Sequence, residues 1–231
     1  MLILALDTTT RPGSCALMRN GQMLHEEPGD TAREQAERLP GDLAALLARE
    51  SVSLGDIDLL AVATGPGSFT GLRVGIATMQ GLAMAIGAPL IGVSALDALV
   101  HLAMSRQGGA GGNPVAAWID AWRGEVFAAV YEQDREITAA IVAKPEALLA
   151  DLAGQPVLFT GDGVLAYQAK IRTALGAHAR FTDPVSPVLA GAVAALAAAA
   201  FQRGEQPPPH AIRPLYVRRS DAELMGNARP V

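Results

Sequence analysis

Residues 61–75, AVATGPGSFTGLRVG, set an apolar strand, a glycine-bearing turn and the start of a helix end to end. A chain built this way needs a sheet covered by helices, because the helix must carry the backbone over the strands it has just left. The pattern around it keeps the same alternation. Leu2 to Leu6 reads as a buried strand, Ser14 to Met18 as its hairpin partner and Met23 to Glu26 as a third strand. Thr31-x-x-Glu34 has the form of a capping box, and the helix it opens carries Ala36, Leu39, Leu43, Leu46 and Leu47 on one side. Pro40 predicts a kink or break near Ala36 to Leu39. Asp58 to Thr64 follows as a central strand, Gly71 to Ile86 as a helix, Leu90 to Val93 as a strand and Ser94 to Ser105 as a helix.

Gln107-Gly-Gly-Ala-Gly-Gly-Asn-Pro114 is the clearest linker in the sequence. Beyond it the alternation starts again, with a hairpin of Val115 to Asp120 and Glu125 to Glu132 and a helix near Pro145 to Leu152. A strand at Pro156 to Thr160 and helices at Val164 to Leu175 and Pro187 to Gln202 complete the series. The expected organisation is therefore a first lobe at 1–106, a linker at 107–114, a second lobe of related topology at 115–206 and a tail at 207–231. The tail returns to the body through Leu215, Tyr216 and Val217.

Composition narrows the function. Half the residues are hydrophobic and only 18% are charged, which describes a chain with a large core and not a disordered one. The net charge of −5 argues against stand-alone nucleic-acid binding, which needs a basic face, and leaves open a complex whose other member is basic. The single cysteine, Cys15, has no internal partner and fits a reducing cytoplasm. MLILALDTTT has no basic residue ahead of its apolar run, and Asp7 interrupts that run, so it does not read as a signal peptide. Val74 to Leu96 is uncharged and long enough to span a bilayer, but Gly87-Ala88-Pro89 breaks it. Val188 to Phe201 is about 21 Å as a helix, too short to cross.

The loop at 65–71 has two readings. It lacks the Lys-Ser/Thr of a phosphate-binding P-loop, its last glycine is one residue late for a dinucleotide fingerprint, and Pro66 removes a donor. The helix start still offers free N–H groups to an anion. The helix that follows carries Gly71, Gly75, Ala77, Gly81 and Ala85, small residues largely four apart. They serve either a closely approaching partner helix or close packing on the chain's own sheet.

Three stretches, MLILALDTTT with SCALMRNG, GPGSFTGLRVGIATMQGLAMAIGAPLIGVSALDAL, and AAWIDAWRGEVFAAVY, resemble the TsaB (YeaZ) family, as does PLYVRR near the end. The resemblance runs in order from residue 1 to about residue 220. It implies an α/β chain with the two-lobed actin-like ATPase (ASKHA, ribonuclease H-like) fold. It also implies a non-catalytic partner of TsaD in forming N6-threonylcarbamoyladenosine at position 37 of tRNAs reading ANN codons. TsaD carries the transfer chemistry and its metal, TsaE completes the assembly, and tRNA is met through the complex. Without TsaD the same patch could pair two copies of this chain.

The residues agree with a role without chemistry. None of His25, His101, His178 and His210 lies four residues from another, so the His-x-x-x-His metal pair of TsaD is missing and no metal site is expected. A peptidase of the old glycoprotease (M22) type would need a nucleophile beside a base, and none is in view. The other alternative is a stand-alone actin-like ATPase or kinase. In that fold the first hairpin turn meets phosphates, which makes Asp7, Thr8 and Thr9 candidates, with Asp7 near a magnesium ion. Asp120 and Arg123 are their counterparts in the second hairpin, and Gly161-Asp162-Gly163 resembles an adenosine loop. They serve either weak or partner-shared binding of ATP or ADP, none being required, or turn capping alone. Docking on TsaD is expected through the helices at 31–50 and 71–86, with Gln35, Leu39, Leu43, Leu46, Leu72, Gly75 and Met79 at the contact. Gln35 departs from the resemblance, since family members often carry histidine there.

Overall fold

The computed structural model describes residues 1–105, 110–132 and 135–217. Residues 107–109 of the glycine-rich stretch and the end of the tail, 218–231, therefore lie outside the described residues.

The chain opens with β1 (Leu2–Asp7), β2 (Ser14–Arg19) and β3 (Gln22–Pro28), an antiparallel meander. After α1 (Gln35–Arg49), β4 (Leu59–Gly65) lies parallel to β1; α2 (Phe69–Ile86) then leads to β5 (Leu90–Ser94), parallel to β4. The first sheet thus has the order β3-β2-β1-β4-β5. α3 (Ala95–Ser105) crosses to the second half, where β6 (Val115–Asp120), β7 (Val126–Glu132) and β8 (Arg135–Ala143) form another antiparallel meander. α4 (Pro145–Asp151), β9 (Val157–Thr160), α5 (Asp162–Leu175), β10 (Ala179–Phe181) and α6 (Ala190–Gln202) follow. β9 is parallel to β6 and β10 to β9, so the second sheet reads β8-β7-β6-β9-β10 and repeats the first strand for strand.

β1 is apolar on both faces because both are covered. Leu2, Leu4 and Leu6 point to a core shared with Leu39, Leu43 and Leu46 of α1 and Ile76 and Met79 of α2. Ile3 and Ala5 point to a central core that also holds Ala117 and Ile119 of β6, most of α3 and the apolar side of α6. Ala116 and Trp118 of β6 face a third core with Leu149 and Ile171 under α4 and α5. The layers are α1 and α2, first sheet, α3 and α6, second sheet, α4 and α5. The two middle helices are exchanged: α6, from the second half, packs on β1, β2, β4 and β5, while α3, from the first half, packs chiefly on β6, reaches β7 and β9, and also touches β4 and β5 of its own sheet. This is the two-lobed arrangement that the family resemblance implies.

Two strands escaped the sequence pattern, β8 and β10, both at sheet edges. α1 also begins later than the capping box suggests. Asp30 accepts the N–H of Ala32 (2.8 Å) and holds residues 30–33 in a turn, so the helix starts at Gln35 and its cap, Glu34, makes no side-chain bond. Pro40 then sits in the second turn of an unbroken helix. α2 is long and apolar enough to cross a membrane, but Leu72, Ile76, Met79 and Ala83 are buried along it in the chain's own core. Gly87 ends it in the left-handed conformation at φ 70°.

Candidate functional site

Asp7 and Asp120 end β1 and β6, which hold equivalent places in the two sheets. Asp7 is buried, and its Oδ1 accepts both the N–H (2.9 Å) and the hydroxyl (2.6 Å) of Thr9. Burial pushes its carboxyl above the usual aspartate range, and those two bonds oppose the rise. Asp120 repeats the gesture: its Oδ1 accepts the N–H of Trp122 at 3.0 Å, again two residues on. Both acids therefore brace a turn of their own hairpin.

The start of α2 closes on the first of these turns. Ser68 caps the helix by accepting the N–H of Gly71 (3.2 Å) and gives its own N–H to the carbonyl of Thr9 (2.8 Å). A Cβ on Gly67 would lie 2.5 Å from that same oxygen, one on Gly71 2.3 Å from the carbonyl oxygen of Thr8, and one on Gly75 2.2 Å from Thr8 Oγ1. The glycines of this loop and helix thus let α2 lie directly against Thr8 and Thr9. Gln35 adds a clamp by donating to the carbonyl of Thr10 (2.9 Å). Of the two readings of the small-residue helix, close packing on the chain's own structure accounts for Gly71 and Gly75.

In the second lobe Asp162 lies at the start of α5 and its Oδ1 accepts the N–H of Asp120 at 3.0 Å. Burial pushes its carboxyl up to about 6; the charges of Asp120 and Asp7 add to the rise, and the backbone bonds from Asp120 and Gly163 oppose it. The charge of Asp7, in the first lobe, thus reaches Asp162 in the second. Gly161, at φ 113°, would put a Cβ 2.1 Å from the Trp118 carbonyl oxygen, and Gly163 would crowd the Ile119–Asp120 peptide. Arg123 is exposed at the tip of the β6–β7 turn, where Trp122, Arg123 and Gly124 all have positive φ.

The donors at the start of α6 are taken. Ser14 Oγ accepts the N–H groups of Leu189 (3.3 Å) and Ala190 (3.0 Å), and Glu26 Oε1 accepts that of Gly191 (2.7 Å). Burial raises the Glu26 carboxyl, which the Gly191 bond opposes. Among the described residues no three of the His, Cys, Asp and Glu side chains cluster closely enough for a metal ion. Cys15 is buried, and its thiol is pushed up to about 12 by burial first, so it is an inert core group.

The residues expected at a partner contact lie elsewhere than on the surface. Leu39, Leu43, Leu46, Leu72, Gly75 and Met79 are all buried within the chain, and Gln35 is half-buried in its clamp. Their spacing marks the inward rows of two amphipathic helices. The outward rows are Ala36, Pro40, Gly41, Ala44, Ala45 and Ala48 on α1, and Arg73, Ala77, Gly81, Met84 and Ala85 on α2. Sequence reasoning missed Ser14, Glu26 and the equivalence of Thr64-Gly65-Pro66-Gly67 with Thr160-Gly161-Asp162-Gly163. That recurring T-G-x-G, ending β4 and β9 in turn, was the available signal of a doubled topology.

A family model described as TsaD, tRNA N6-adenosine threonylcarbamoyltransferase, matches residues 22–225. The chain is 40% identical over 153 residues to the tRNA threonylcarbamoyladenosine biosynthesis protein TsaB of Escherichia coli, a match that spans 63% of this chain and 64% of that protein. It is 34% identical to the TsaB of Haemophilus influenzae, over 72% of this chain and 74% of that one. The solved structure of YeaZ from Pseudomonas aeruginosa superposes with a TM-score of 0.76 at 32% identity, covering 93% of this chain and 99% of the other. At the level of fold alone the chain is also similar to component A of the (R)-2-hydroxyglutaryl-CoA dehydratase of Acidaminococcus fermentans. That match has a TM-score of 0.53 at 10% identity, over 85% and 97% of the two chains. The doubled sheets, with their exchanged helices, form the two-lobed actin-like ATPase fold. Identity of this level, carried across most of both chains, exceeds what a shared fold requires, and the chain belongs to the TsaB (YeaZ) family within the wider tRNA N6-adenosine threonylcarbamoyltransferase family.

Proposed function

We propose that this chain is a non-catalytic subunit that binds and activates TsaD in the complex forming N6-threonylcarbamoyladenosine at position 37 of ANN-decoding tRNAs. The observation that carries the reading is Gly81. It stands mid-helix on the exposed row of α2, and a Cβ there would meet nothing within 4 Å. A glycine in such a place costs about 1 kcal/mol against alanine, and nothing among the described residues repays it. Flanked by Ala77 and Ala85 and lying beside the alanine row of α1, it suits a partner's helices packed at short range. A four-helix contact with TsaD uses both rows, and in the absence of TsaD a second copy of this chain uses them instead. TsaE joins the assembly formed with TsaD, and tRNA is reached through that assembly, in the cytoplasm.

No nucleotide is required of this chain in that role. In the actin-like frame ATP and its magnesium would depend on the Asp7 turn, the start of α2 beside it, and the Asp120 turn with Gly161-Asp162-Gly163 in the second lobe. Here Asp7 is bound to Thr9, α2 is closed on Thr8 and Thr9, Asp120 is bound to Trp122, and Asp162 accepts the N–H of Asp120. These internal bonds support the reading that the chain holds no triphosphate tightly. Weak or partner-shared binding of ATP or ADP is the most that the arrangement supports.

The test is reconstitution with TsaD, TsaE and the threonylcarbamoyl-adenylate supply of the same organism. Omitting this chain should abolish tRNA modification. Gly81→Trp should fold normally, fail to co-purify with TsaD and restore none of it. Full modification without the chain, or a Gly81→Trp variant that still binds TsaD, defeats the reading.

A further inference from the structure

The exposed row of α2 does not end at Arg73. One turn earlier lies Phe69, and beside both runs the chain after α6, pinned across the first lobe. Gln80 donates to the carbonyls of Pro209 (2.8 Å) and Ile212 (3.1 Å), Ile212 is buried in the first core, and the N–H of Leu215 is given to the carbonyl of Thr64 (2.7 Å). This strap delivers Tyr216 to Phe69, with ring centres 5.2 Å apart. The Arg73 guanidinium lies 4.0 Å over the Phe69 ring and gives its Nε–H to the Tyr216 hydroxyl at 3.0 Å. Yet the cluster stays open to solvent: Phe69 is 43% exposed, Leu215 42% and Tyr216 46%.

Large apolar and aromatic side chains held at the surface by fixed geometry are unusual away from a contact, and Tyr, Phe and Arg are the side chains that anchor one. Three features choose the occupant. The cluster is continuous with Ala77 and Gly81, one and two turns along the same row, so a helix seated on those residues runs into it. Among the described residues the guanidinium donates through Nε to the Tyr216 hydroxyl, and its terminal N–H groups suit a carboxylate. The chain's net charge of −5 disfavours a nucleic acid there.

We propose that Phe69, Arg73, Leu215 and Tyr216 form the anchoring spot of the TsaD contact, which makes the strap at 209–217 part of that interface. This rests on the proposed function. The partner surface it calls for brings an apolar side chain against the two rings and a carboxylate to Arg73.

Calorimetric titration of the full chain with full-length TsaD of the same organism tests it. Tyr216→Ala and Arg73→Glu should each weaken binding by about tenfold or more. Tyr216→Phe keeps the ring, loses only the hydroxyl bond, and should cost no more than about threefold. If Gly81→Trp abolishes binding while Tyr216→Ala and Arg73→Glu bind like the parent chain, the helix contact stands and the anchoring role is overturned. If the parent chain itself does not bind TsaD, the proposed function and this inference fall together. Should Tyr216→Ala melt early, amide exchange at Leu215 to Val217 in the parent chain decides. TsaD should slow it, and unchanged exchange overturns the proposal.

Discussion

A methyl group placed on Gly75 would collide with the buried Thr8 side chain, whereas one placed on Gly81 would stand in solvent. The two glycines lie on one helix, yet they answer opposite questions. Gly75→Ala should destabilise the chain by about 2–3 kcal/mol, since Thr8 has no room to retreat. Gly81→Ala should stabilise it by up to about 1 kcal/mol. Denaturant unfolding of both variants checks the pair, and a costly Gly81→Ala would mean that this glycine serves the folded monomer after all. Asp162 offers a second residue-scale expectation. Its carboxyl titrates near 6 in the folded chain and near 3.8 in the unfolded one. Between those values the folded state binds more protons, so this group's contribution falls as pH rises from about 4 to about 6 and the penalty is complete above that. Its size is on the order of 3 kcal/mol. Asp162→Asn keeps an acceptor for the Asp120 N–H, so melting curves should show it more stable than the parent at neutral pH and less dependent on pH below 6.

Elements were legible in proportion to how fully their own residues decide them. β1, β4 and β6 are continuous apolar runs buried on both faces, and their spans agree with the sequence pattern within a residue or two. β8 and β10 are edge strands. One side of β8 is solvated, with Ile137 and Ile141 exposed, so its pattern is weak, and its pairing with β7 shifts register near Val130. β10 spans three residues and owes its form to β9. The spacing of Leu39, Leu43 and Leu46 correctly identified an apolar face; only the core beneath it shows that the face belongs inside. Gly75 and Gly81 could not be told apart by spacing, because both sit in one four-residue rhythm. α6 shows why the caps went unread: its N-terminal donors are satisfied by Ser14 and Glu26, more than 160 residues earlier in the chain. Ser14→Ala removes the acceptor of two N–H groups and should cost about 1–2 kcal/mol, measurable by denaturant unfolding. A loss below a few tenths would mean that the cap is not Ser14.

For the molecule as a whole, the proposed accessory role predicts a protein without turnover of its own. ATP hydrolysis by the isolated chain should not exceed background, and hydrolysis that co-elutes with the protein and vanishes in Asp7→Ala would contradict that. Alone it should bind tRNA no better than weakly at physiological salt, because an acidic chain approaches a polyanion at Coulombic cost, and a low-micromolar affinity would count against this. The exchange of α3 and α6 between lobes has a consequence for the continuity of the chain itself. Each sheet has its inner face covered by a helix encoded in the other half, so neither half is a complete unit of folding. Severing the backbone at the glycine-rich stretch should nevertheless leave the assembly intact, since the exchanged helices latch the pieces to each other. Residues 1–106 and 115–231, produced as separate polypeptides, should each be insoluble or molten alone and reconstitute a cooperatively melting pair when co-expressed. That behaviour would make the chain a natural split protein, with partner-dependent reassembly as its readout.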